Sequence, residues 1–102
     1  MDLAYTNSNS TLQLEQNYPN PFNPYTPIQF TLSEAQMVNL NIYDLQGRLV
    51  KSLINNTYMS IGEHKYTWDG KNDMGTQLPS GMYFCKLTNS NQIIVRKMIM
   101  MK

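Results

Sequence analysis

Paired cysteines, a strong charge of either sign, long apolar runs and helical spacing are all missing from this chain of 102 residues. Each absence removes a class of protein. Cys85 is the single cysteine, so an internal disulfide is impossible and stability must come from packing; a lone thiol leaves the redox compartment open. Eight Lys or Arg stand against seven Asp or Glu, for a formal net charge of +1. That removes the electrostatic case for nucleic acid or an anionic membrane, both of which need a basic patch. Charged residues are 15% of the chain, below the roughly 25% of ordinary soluble domains. The terminal apolar run Met98–Met101 is only four residues, against the ~20 that span a bilayer, so direct membrane insertion is not expected. Met1–Ser10 has no basic segment followed by an apolar stretch and is not a secretory leader; for a secreted protein the leader then lies upstream and this chain is a fragment. Paired carboxylates, a nucleophile triad and a clustered His/Cys metal set are also lacking, which argues against a free-standing enzyme and a bound cofactor. The length suits one core, with no second lobe to form a cleft.

What the chain does have is alternation. Residues 1–11, rich in Asn, Ser and Thr, read as a linker or disordered N-terminal segment, and 12–102 as one domain. Leu12–Glu15 alternates apolar and polar. Residues 19–24 hold three prolines, which fix φ and keep their predecessors out of the helical region, so the stretch is extended or turning. Ile28, Phe30 and Leu32 face one way, and Val38, Leu40 and Ile42 repeat the pattern with Asn39 and Asn41 outward. Asp44–Gly47 is a turn, Arg48–Ile54 a short strand, Asn55–Ile61 a loop, and Gly62–Trp68 another strand. Asp69–Gly75 is dense in turn formers. Met82–Thr88 is a strand with Tyr83, Cys85 and Leu87 on one face, and Gln92–Met101 is the last. Short strands with regular turn signals predict an all-β, immunoglobulin-like antiparallel sandwich of about seven strands.

Several residues invite a chemical role. Cys85 and His64 are the elements of a nucleophile pair, but alternation puts Cys85 beside Tyr83 and Leu87 on the apolar face, as a small buried hydrophobe. His64 shares a face with Tyr66 and Trp68. Tyr83, two residues before Cys85, has the placing of a tyrosine corner and is expected to hydrogen-bond a loop backbone. Trp68 reads as a core plug. Asp69, Asn72 and Asp73 are weak calcium candidates: the ion wants six to eight oxygens including a bidentate acid, and Asx-turns explain the same residues without metal. Tyr18, Phe22 and Tyr25, among the prolines, are expected to cover one end of the sandwich.

Read in order, Gln16-Asn17-Tyr18-Pro19-Asn20-Pro21-Phe22-Asn23-Pro24, Ile28-x-Phe30-x-Leu32, Val38-x-Leu40-x-Ile42-Tyr43-Asp44-x-x-Gly47-Arg48, Gly62-x-His64, Trp68-Asp69-Gly70-x-x-Asp73-x-Gly75, Ser80-Gly81-x-Tyr83 and the closing Arg96-Lys97-Met98-Ile99-Met100-Met101-Lys102 resemble the C-terminal sorting domain of type IX secretion substrates. Gly47, Trp68, Asp69, Gly70, Gly81 and Tyr83 are its structural motif positions. The pattern departs at Pro27, where the family usually has Thr, and at Ser33, where Pro is common. The resemblance implies a non-catalytic domain that ends a larger protein of a Bacteroidetes-type bacterium. Such a domain carries a covalently linked upstream cargo through the periplasm and outer membrane to the cell surface or medium. Its implied partners are the outer-membrane secretion machinery and a sortase-like surface enzyme. In a bacterial protein the glycosylation patterns at Asn9 and Asn55 carry no weight. A related style in the immunoglobulin-like domain of flagellar hook-capping proteins and in repeats of extracellular hydrolases leaves an alternative, a structural or carbohydrate-associated accessory domain of an extracellular enzyme.

The final strand is apolar on both faces, with Ile94, Met98 and Met100 on one and Ile93, Val95 and Ile99 on the other. Either loops such as Asn17–Pro24 cover the second face, or it is left as an exposed strip or a surface for weak self-association. Arg96, Lys97, Met98, Ile99 and Lys102 are the candidate residues read by the secretion machinery.

Overall fold

The alternating segments become seven strands in a computed structural model that describes residues 10–22 and 25–101. Most of the expected linker, residues 1–9, lies outside the described residues, as do Asn23, Pro24 and Lys102. The strands are β1 (Leu12–Leu14), β2 (Thr26–Leu32), β3 (Gln36–Tyr43), β4 (Leu49–Met59), β5 (Gly62–Trp68), β6 (Gly81–Thr88) and β7 (Ile93–Met100). They form a three-stranded sheet in the order β1-β2-β5 and a four-stranded sheet in the order β4-β3-β6-β7. Every strand pairing is antiparallel. Among the described residues there is no helix.

Because side chains alternate across a strand, each sheet has one apolar face, and the two apolar faces meet. Leu12, Leu14, Ile28, Phe30 and Leu32 from the smaller sheet close on Val38, Leu40, Ile42, Ile54, Cys85, Leu87, Met98 and Met100 from the larger. Trp68 and Phe22 plug one end. Burying a side chain of this size contributes about 1.5–3 kcal/mol, which explains how a small domain without a disulfide holds together. On β2, β3 and β6 the side chains that the alternation places inside are inside, Tyr83 included, while Ile94, on the face of Met98 and Met100, is only partly buried.

Two expectations are corrected. Asn55–Ile61 is not a loop: β4 runs on to Met59 and only Ser60 and Ile61 join it to β5. The polar Asn55-Asn56-Thr57 stretch stays in the strand because Asn56 takes a left-handed backbone (φ 44°). Its N–H donates to Oδ1 of Asn39 at 2.7 Å. One extra residue is thereby absorbed as a bulge, between the pairs Leu40–Ile54 and Val38–Thr57. The second correction concerns the aromatics among the prolines. Phe22 is buried, but Tyr18 is 84% and Tyr25 59% exposed. Asn17 takes the inward position instead, with its Nδ2 donating to the buried Thr26 hydroxyl at 2.9 Å. Tyr18, the next residue along, is directed to solvent.

Candidate functional site

Several of the motif blocks lie towards one end of the sandwich, whereas the Gly62-x-His64 block stands at the opposite end of β5 from Trp68. In the β3–β4 turn the Gly47 N–H closes on the Asp44 carbonyl at 3.0 Å, and φ of +84° at Gly47 is a geometry that favours glycine. The Asp44 carboxylate accepts from the Arg48 and Gln46 backbone N–H groups and pairs with the Arg48 guanidinium at 2.8 Å. The Arg48 backbone N–H first, then its side chain, holds the Asp44 pKa below its ordinary value. Next to this turn Tyr83 forms the expected corner, its hydroxyl donating to the Pro79 carbonyl at 2.7 Å. Burial, and secondarily the Asp44 charge, push the Tyr83 phenol pKa up. Trp68 links the remaining blocks. Its ring meets Tyr83 edge-on at 5.3 Å and Phe22 at 5.7 Å, and its Nε1–H donates to the Lys71 carbonyl at 2.9 Å.

The acidic loop is turned inward on its own backbone. Asp69 Oδ1 accepts from the Lys71 N–H, and Asn72 Oδ1 from those of Met74 and Thr76. Asp73 accepts from the Ser52 N–H and lies 3.8 Å from the Lys51 ammonium. All three calcium candidates are thus engaged as Asx-type turn acceptors or strand ties. No group of three or more His, Cys, Asp or Glu able to hold a metal occurs among the described residues. Gly70 and Gly81 frame the loop, Gly81 opening β6. Cys85 and His64 are not brought together. Cys85 is in the core of the larger sheet, where burial pushes its thiol up to about 12. His64 stacks on Phe30 in the smaller sheet with Nε2 2.8 Å from the Ser60 carbonyl.

The terminal strand divides into two parts. Its lower edge is clamped by Gln16–Phe22. Gln16 Nε2 donates to the Lys97 carbonyl at 2.7 Å, and the Ile99 N–H donates to Asn20 Oδ1 at 2.8 Å. The Phe22 N–H reaches the Ile99 carbonyl at 2.9 Å, and the Met101 N–H reaches the Phe22 carbonyl at 3.0 Å. Loop cover and exposure are therefore both present, in sequence: beyond the clamp Ile93 is 67% and Val95 44% exposed. The candidate recognition residues separate accordingly. Arg96 and Lys97 are exposed, with Arg96 Nε donating to the Leu14 carbonyl at 3.0 Å. Ile99 is half-buried and Met98 lies in the core, while Lys102 is outside the described residues.

Sequence reasoning missed the hydrogen-bonding roles of Gln16, Asn17 and Asn20, which nothing local announces. It also left unread the outward set Tyr43, Phe84 and Lys86, although the same alternation that placed Ile42 and Cys85 inside puts these three on the opposite face.

A two-sheet antiparallel sandwich with a tyrosine corner defines a domain of immunoglobulin-like class. The family profile of the secretion system C-terminal sorting domain matches residues 16–101; the chain belongs to this family, the one its motifs resemble. The basal-body rod modification protein FlgD of Salmonella typhimurium is 39% identical over 67 residues, which are 65% of this chain and 28% of FlgD. The chain thus spans under a third of the length of the curated relatives it matches. Among solved structures, dimeric latent PorU from Porphyromonas gingivalis aligns with a TM-score of 0.66 at 24% identity, over 87% of this chain and 9% of PorU. FlgD from P. aeruginosa aligns at 0.58 and 20% identity, over 88% of this chain and 67% of its own. At these identities the two structures speak for the shared fold alone.

Proposed function

We propose that this domain is the sorting and surface-attachment signal of a larger secreted protein, read by type IX machinery in a Bacteroidetes-type outer membrane. The observation that carries the reading is the family match across residues 16–101. The domain itself performs no catalysis. It travels with a covalently linked cargo to the cell surface or medium, where a sortase-like enzyme acts at the junction. The machinery reads the terminal segment through Arg96, Lys97, Ile99 and Lys102. Met98 contributes by fixing the phase of the strand, since its side chain is buried.

The test is cargo delivery by charge-reversed variants. A reporter with a secretory leader is fused ahead of this chain and expressed in a bacterium with type IX machinery. Lys97→Glu and Lys102→Glu together are expected to lower surface reporter several-fold, and a melting temperature within a few degrees of the wild type, as for a substitution at the exposed Lys97, verifies the fold. Wild-type delivery by a normally folded double variant would remove the terminal segment from the recognition role.

The identity with FlgD favours a second reading, in which the domain is a structural module that positions its neighbours. Under that reading the fused chain directs no reporter outward.

A further inference from the structure

The two outward faces of the sandwich have different chemistry. On the smaller sheet the outward positions are polar and of mixed sign, with Gln29 and Thr31 on β2 and Glu63, Lys65 and Thr67 on β5. That is an ordinary solvated face. On the larger sheet, cross-strand register lines up Tyr43 with Phe84, and Lys86 with Val95. The exposed Leu45 of the β3–β4 turn stands beside them. Together with Gly47 and Asp44 these residues line a shallow depression of about 280 Å³, room for one large apolar side chain. Lys86 holds its ammonium 5.2 Å from the centre of the Tyr43 ring. Neither Lys86 nor Lys97, the next cation on this face, has a carboxylate within ion-pair distance among the described residues. The acid lining the depression, Asp44, is already held by Arg48. Beside Lys86, its cross-strand partner Asn41 has an Oδ1 that is buried with no hydrogen-bond donor among the described residues.

We propose that this outer face, centred on Tyr43, Phe84, Lys86 and Val95, is a docking surface for an acidic segment of another protein that carries an aromatic or branched apolar anchor. The anchor fills the depression and its flanking carboxylates meet Lys86 and Lys97. Charge decides the occupant. A second copy of this chain brings the same cations and repels. A lipid surface calls for a cluster of ~4–8 basic residues, and this face has two lysines. A peptide with carboxylates on either side of one apolar side chain answers both the depression and the two ammoniums. The proposal goes beyond the sorting reading and does not rest on it: Tyr43, Leu45, Phe84, Lys86 and Val95 lie outside the terminal segment Arg96–Lys102, only Lys97 is shared, and the variants below leave Lys97 unchanged.

The test titrates this chain with a fluorescein-labelled Glu-Leu-Glu-Phe-Glu-Leu-Glu peptide, with the Lys-for-Glu peptide as its counterpart, following anisotropy and amide chemical shifts. The acidic peptide is expected to saturate with shifts confined to β3, β6, β7 and the β3–β4 turn. Lys86→Glu with Leu45→Asp is expected to weaken it about tenfold or more. Both sites tolerate the change, since Leu45 is exposed and Lys86 points outward, and an unchanged melting curve verifies it. Absence of saturable binding would overturn the proposal, as would equal binding of the basic peptide or indifference to the double variant. Binding of phosphatidylglycerol vesicles without the peptide, or self-association that shifts these same amides, would overturn it in favour of those occupants.

Discussion

Tyr83 and Cys85 sit two residues apart on the same face of β6 and carry the tests that belong to single side chains. Tyr83→Phe keeps the ring against Trp68 and deletes only the 2.7 Å bond to the Pro79 carbonyl. It is expected to cost about 1 kcal/mol in urea denaturation, with a wild-type fold by circular dichroism. Cys85 ties stability to alkaline pH. Its thiol is raised from 9.0 to about 12, so the folded state keeps its proton where the unfolded chain has lost it. The stabilisation this represents is whole below about pH 9 and is lost as pH climbs towards 12. Thermal melts are expected to fall across that window, and to fall less steeply in Cys85→Ala, which starts about 1 kcal/mol lower for the lost packing. In the native state the same thiol is expected to label slowly with thiol reagents, becoming reactive only on unfolding.

At the level of elements, the clamp of Gln16–Phe22 on β7 makes the N-terminal and C-terminal parts of the domain depend on each other. Asn20→Ala removes the acceptor of the Ile99 N–H. It is expected to speed hydrogen exchange at Ile99 and Met101 well before the amides of β3, with a global loss of about 1 kcal/mol. The contrast between β3 and β4 shows what could be read in advance. β3 is legible because Val38, Leu40 and Ile42 alternate strictly with asparagines, and the period alone sets phase and burial. The far half of β4 was hidden because its continuation depends on an Asn39 side chain 17 residues away in sequence. A local reading of Asn55-Asn56-Thr57 therefore sees only turn formers. The proline-rich stretch failed for a related reason. Irregular backbone has no period, so nothing in the sequence says that Asn17 and Phe22 turn inward while Tyr18 and Tyr25 turn out. The acidic loop was legible in kind, since Asp69 and Asn72 cap backbone N–H groups as Asx-turn residues do. The pairing of Asp73 with β4 was not.

On the scale of the molecule, the sandwich takes Met98 and Met100 of the terminal strand into its core and leaves Val95 and Lys97 exposed. Mutations that loosen the core should therefore impair sorting through folding, whereas under the proposed reading a change at exposed Lys97 should impair it without loss of stability, and a change at Arg96 would also cost the bond to the Leu14 carbonyl. The order of the motif blocks was enough to name the family. It was not enough to separate, within Arg96–Lys102, the side chains a partner can touch from those the core has taken, because that division follows from strand phase and from the clamp. The most direct measurement of the central claim is the surface signal of a leader–reporter–domain fusion, compared between a strain with working type IX machinery and one lacking it. The account predicts surface reporter in the first strain and retention in the periplasm in the second. Equal surface reporter in both strains, or periplasmic retention in both with a folded domain, would contradict it.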